Sequence, residues 1–176
     1  MPNYRRAWVP GGTYFFTVNL LKRGNNDLLV RRIDDLREVV ASVKSRHPFT
    51  IHAWVVLPDH IHCVLQFPEG DSDFSMRWRL IKADFSKRLP ITEGRSAVRN
   101  RRGERGIWQR RFWEHLLRDE RDFAMHVDYV HINPLKHGLV DRVSDWPHST
   151  FHRWVKTGVY LSDWGAQVDI LPKYDD

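Results

Sequence analysis

The sequence predicts an α+β fold, an antiparallel sheet with helices packed on it. Three observations carry that expectation. Residues 60–67 (HIHCVLQF) place Ile61, Cys63, Leu65 and Phe67 at every second position, the period of a strand with one apolar face. The β-prone run 49–57 (FTIHAWVVL) is separated from it only by Pro58-Asp59, so the two runs form a hairpin. Elsewhere, apolar residues recur every three to four positions, the spacing of a helix that buries one face.

Taken in order, Gly11-Gly12 opens a first strand over 13–20 (TYFFTVNL), whose apolar content suits a central position. A helix follows, with Ile33, Leu36, Val40 and Val43 on one face. Asp34, Asp35 and Glu38 favour its N-terminal end through the macrodipole, and His47-Pro48 closes it. After the hairpin, Phe74, Trp78, Ile81, Phe85 and Leu89 mark a second amphipathic helix ending at Pro90. Its other faces carry Arg77, Arg79, Lys82, Lys87 and Arg88. Residues 91–107 have no period and many Gly and Arg, which predicts an exposed, mobile basic loop. A fourth strand is expected over 111–117 (RFWEHLL), then a helix over 119–131 with Phe123, Val127 and Val130 buried. Trp54, Trp78 and Trp113 fall on apolar stripes or within strand runs, where a core position is expected. A short helix over 148–156 stops at Gly158, and residues 159–176 are expected to form a tail.

Composition limits the classes of function. A chain of 176 residues suits one domain. Lys and Arg number 28 against 22 Asp and Glu, a net charge of +6 that favours a polyanionic partner. Cys63 is the sole cysteine, so no internal disulfide can form. No apolar run has the length of a membrane span and residues 1–12 lack the apolar core of a signal peptide, so a cytoplasmic protein is expected.

The chemistry centres on His60 and His62, two imidazoles on the same face of one strand. This geometry presents two nitrogen ligands to one metal ion, although two half-exposed strand histidines would give the same spacing. On the helix over 119–131 and just past it, Asp122, His126, Tyr129 and Asn133 follow at spacings of 4, 3 and 4 and share one edge. A solvated helical face is the plain alternative. A zinc hydrolase built on the His pair is disfavoured, because no Cys, Asp or Glu sits nearby at ligand spacing.

The stretches 54–62 (WVVLPDHIH), 108–115 (WQRRFWEH) and 128–138 (DYVHINPLKHG) resemble those of the REP-associated tyrosine transposases, single-tyrosine members of the HUH nuclease superfamily. The likeness runs from Tyr4-Arg5-Arg6 and Gly11-Gly12 to the stretch 146–152 (WPHSTFH). The resemblance implies a ferredoxin-like HUH nuclease fold, with residues 1–158 as the transposase domain. It implies His60, His62 and Asn133 as metal ligands and Tyr129 as nucleophile; in the wider superfamily the third ligand is often Gln. The implied reaction is metal-dependent cleavage and strand transfer of single-stranded DNA at REP-type hairpins through a 5′-phosphotyrosine.

Mg²⁺ or Mn²⁺ fits such a site, the imidazoles favouring Mn²⁺ and cellular abundance Mg²⁺. A Tyr phenol needs help to react at neutral pH, and His126, one turn before Tyr129, is a candidate helper. The expected partner is a REP hairpin with a 5′ tetranucleotide, bound by a nucleoid-associated monomer or homodimer. Arg5, Arg6, Arg77, Arg79, Lys82, Arg110 and Arg111 are the expected DNA contacts. An alternative from another class is a non-catalytic, hairpin-binding regulator with the same fold.

Overall fold

A computed structural model describes residues 6–165. Strands β1 (Thr13–Asn19), β2 (Thr50–Val56), β3 (His60–Gln66) and β4 (Trp113–Leu116) form one sheet in the order β2-β3-β1-β4, antiparallel throughout. The helices are α1 (Leu28–Arg31), α2 (Ile33–Arg46), α3 (Phe74–Lys87), α4 (Ala97–Arg101), α5 (Glu120–Lys136) and α6 (Phe151–Lys156). The order of the main elements is the one expected from the sequence, and none of the described helices is long and apolar enough to cross a membrane.

Strand alternation divides the residues of β1 and β3 between two cores. Tyr14, Phe16, Val18, Ile61, Cys63 and Leu65 face α2 and α3. Phe15 and Val64 face α5 and α6, together with Ala53 and Val55 of β2. The β1–β3 register pairs Thr17 with His62 and Asn19 with His60, which places these polar residues on the α5 side. Strand β2 lies at a sheet edge but does not end bare. Val56 N donates to His148 O at 2.9 Å and Thr150 N to Trp54 O at 2.9 Å, so the segment before α6 covers the edge.

Three expectations need correction. The helix predicted over 119–131 extends to Lys136 with Pro134 inside it, because Ile132, Asn133 and Pro134 are all buried and packing outweighs the bond that proline removes. It ends where Gly138 takes φ 66°, a conformation that suits glycine. The loop over 91–107 contains α4 and is tied down. Arg105 donates to the carbonyls of Ser86, Leu89 (2.9 Å) and Pro90 (2.7 Å) and pairs with Glu93. Finally, Trp113 is 45% exposed, because β4 is the other edge strand and, among the described residues, no further strand pairs along its outer side. Past Gly158, Tyr160 and Trp164 pack against Phe151; the rest of the expected tail, 166–176, lies outside the described residues.

Candidate active site

The site forms where the first residues of β3 meet the second half of α5. Both histidines are buried, and each holds a partner through Nδ1: His60 meets Asp59 Oδ1 at 2.6 Å, and His62 meets Thr17 Oγ1 at 2.9 Å. These bonds fix the ring orientations, and the Asp59 contact assigns the His60 proton to Nδ1 and the lone pair to Nε2. Arg23 pairs with Asp59 at 3.2 Å and also lies 3.2 Å from His60 Nδ1. Burial, with a smaller contribution from Arg23, pushes the His60 pKa down despite Asp59, which favours the neutral ligand form.

Helix α5 brings the other groups. Tyr129 is 1% exposed, its ring 5.4 Å from that of His62. One turn later, Asn133 is fully buried and its Nδ2 donates to Tyr129 O at 3.1 Å. His60 Nε2 and Asn133 Oδ1 are buried without a hydrogen-bond partner among the described residues. Orphaned acceptors are costly in a folded protein unless something satisfies them. A divalent cation would satisfy both, so the donor set fits one.

Two residues escaped the sequence reading. His137, at the end of α5, offers a nitrogen that lies with those of His60 and His62 in a group no more than 4.8 Å across. Lys136 Nζ donates to the Tyr129 hydroxyl at 3.1 Å and lies 4.8 Å from its ring centroid. The available signal was spacing: His137 is four residues after Asn133, and Lys136 seven after Tyr129, so both continue the same helical stripe. His126 belongs elsewhere. Its Nδ1 approaches Asp122 O at 2.8 Å, and its ring stacks on His115 at 4.7 Å.

The expected DNA contacts are only partly surface groups. Arg5 lies outside the described residues. Arg77 is 2% exposed and donates to Asp71 (2.6 Å) and to the carbonyls of His47, Pro48 and Asp73. It pins the α2–β2 connection to α3, and its Nε, Nη1 and Nη2 all donate inside the protein, which disfavours the expected DNA contact. Lys82 is half-buried, donating to Gln109 O at 2.9 Å, and burial pushes its pKa down to about 8. Arg6 is held by Glu114 at 3.3 Å and Ser75 at 2.8 Å. Arg79, Arg110 and Arg111 are exposed. Helix α3 packs on the sheet face opposite α5, so the structure brings Tyr129 to the His60–His62 pair, with Asn133 one turn along the same helix, but leaves the α3 cations on the far side.

The chain is 49% identical over 168 residues to the REP-associated tyrosine transposase of Escherichia coli strain K12, covering 96% of this chain and 93% of that one. It is 45% identical over 177 residues to a Haemophilus influenzae protein carrying the same family name, with 99% of each covered. A solved structure of a REP-associated tyrosine transposase bound to a REP hairpin is 48% identical and superposes with a TM-score of 0.81, over 97% of this chain and 95% of that one. No family model matches. This degree of identity, over nearly the whole of each chain, means that the protein belongs to the REP-associated tyrosine transposases.

Proposed function

We propose that this protein cuts and rejoins single-stranded DNA at REP-type hairpins, with Tyr129 as the nucleophile. The observation that carries the reading is the convergence of Tyr129 with His62 and His60 at one buried place. His60, His62 and Asn133 would hold the cation, and His137 is placed to join them. When bound, Mg²⁺ or Mn²⁺ supplies Lewis-acid stabilisation of charge on the scissile phosphate.

The phenol oxygen of Tyr129 attacks phosphorus, the bond from phosphorus to the 3′ oxygen breaks, and that oxygen leaves as a 3′-hydroxyl after taking up a proton. The phenol's own proton passes to solvent. Lys136, already donating to that oxygen, stabilises the phenolate as charge develops on it. The product is a 5′-phosphotyrosine, which a second 3′-hydroxyl attacks in turn, restoring Tyr129 and joining the strands. Residues 1–158 form the catalytic domain in this reading, and a DNA substrate of this kind places the protein at the nucleoid.

The test uses hairpin DNA labelled on the 3′ side of the cut. The wild type with Mn²⁺ should form a denaturation-resistant adduct mapping to Tyr129. Tyr129→Phe should bind the hairpin and form none, and chelation should abolish adduct formation until metal is restored. Cleavage by the Phe variant would assign the nucleophile elsewhere. Tight binding without any adduct would make the protein a regulator.

A further inference from the structure

Trp113 is an aromatic residue that the fold leaves uncovered beside the candidate site. It opens β4 at the sheet edge, opposite Thr17, whose hydroxyl holds His62. An indole exposed to 45% forgoes much of the burial that makes tryptophan stabilising. Its orientation is nevertheless set. The Trp113 ring lies parallel to that of His115, 5.9 Å away at 6°, and His115 stacks on His126 at 4.7 Å. Asp122 holds the inner rungs of this ladder, meeting His115 Nε2 at 2.9 Å and His126 Nδ1 at 3.1 Å. Arg118 N donates to the same carboxylate at 3.1 Å. Phe15 sits between the Trp113 and Tyr129 rings, 5.7 Å from each. The exposed indole is therefore one ring away from the proposed nucleophile.

A rigid, flat, electron-rich face has a natural ligand in single-stranded nucleic acid. Every base offers a π-face, and one that has left its duplex stack needs a new neighbour. Because the ladder holds the indole before DNA arrives, little conformational entropy is lost on stacking. From this arrangement we infer that Trp113 is the platform on which an unpaired base flanking the scissile phosphate stacks, with His115, Asp122 and His126 as its positioning residues. The inference rests on the reading of Tyr129 as nucleophile, which identifies the phosphate concerned.

The test pairs protein and DNA changes in the full-length Tyr129→Phe protein, which cannot consume its substrate. Hairpin oligonucleotides carry one abasic site at each successive single-stranded position. Trp113→Ala should weaken binding of the intact hairpin about 5- to 150-fold, the range for loss of one stacked base, and Trp113→Tyr should recover most of it. One abasic position should cost the Trp113 protein the same factor and cost Trp113→Ala nothing more, since the interaction is already gone. Asp122→Asn should blunt discrimination at that same position. The platform is overturned if Trp113→Ala binds as tightly as its parent, or if abasic losses are equal in both proteins at every position. Should neither protein bind hairpin DNA, the proposed substrate falls as well, an outcome distinct from tight binding without a Trp113 effect.

Discussion

The two faces of the sheet are built from alternate residues of the same strands, yet they do different things. Toward α2 and α3, Phe16, Val18, Ile61, Cys63 and Leu65 join Trp78 and Phe85 in a core of apolar side chains. Toward α5, the neighbouring strand positions bury His60 and His62, and α5 itself buries His126, His131 and Asn133, polar groups that lower stability unless each finds a partner. Both faces carry an apolar core. The α5 side also gives up some stability to hold reactive groups still, and the strand period lets both kinds of residue come from single residue steps.

The sharpest way to break this comparison is to change neighbours on β3. His62→Ala should lower adduct formation by about 10³-fold or more, far out of proportion to its modest lowering of thermal stability, which comes from the space left and the Thr17 hydroxyl losing its partner. Ile61→Ala, one residue away, should destabilise by about 2–5 kcal/mol in urea unfolding and leave activity per folded molecule largely intact. If both variants lose stability alike and activity alike, the division of labour is wrong.

Arg77 tests the stabilising face. Its truncation leaves Asp71 and several buried carbonyls without their donor, so Arg77→Ala should cost about 3–5 kcal/mol. The salt dependence of hairpin binding should stay unchanged. A shallower slope would return Arg77 to the DNA surface.

His131 tests the polar face through pH. Burial, aided by Arg153 and His152, pushes its pKa down to about 3, and it donates to or accepts from Thr150 Oγ1 at 2.8 Å. The unfolded chain, with the ordinary value near 6.5, binds the proton first. Stability is therefore full above about pH 6.5 and falls as the pH drops from there toward 3, by about 2 kcal/mol between pH 6.5 and 5 from this residue alone. Urea midpoints measured across that range in wild type and His131→Gln should converge toward low pH. Parallel curves would remove His131 from the balance.

Lys136→Gln should slow adduct formation about 10- to 100-fold with hairpin affinity nearly unchanged, and Lys136→Arg should keep most of the rate. Equal losses of rate and affinity would make Lys136 a DNA contact instead. Arg79→Ala should have the smallest effect, within about 0.5 kcal/mol on stability. If DNA reaches α3, it should also reduce the slope of log affinity against log salt by about 0.7–0.9. An unchanged slope would confine DNA to the α5 face.

Much of this was written in local pattern. Alternation over 60–67 placed both histidines opposite the apolar stripe, and spacing along α5 aligned Tyr129 with Asn133, because side-chain direction in a strand or helix depends only on neighbouring backbone. What covers each face depends on residues far apart in the chain. Arg77 shares a helix with exposed Arg79, yet it is buried by the segment around His47 and Pro48. Trp113 reads like a core residue but stands at a sheet edge, while Lys136 and His137 reach the site because packing carries α5 beyond Pro134. Periodicity sets which residues point together. Only the tertiary structure decides what they point at, because burial and partner choice are fixed by contacts that no local spacing encodes.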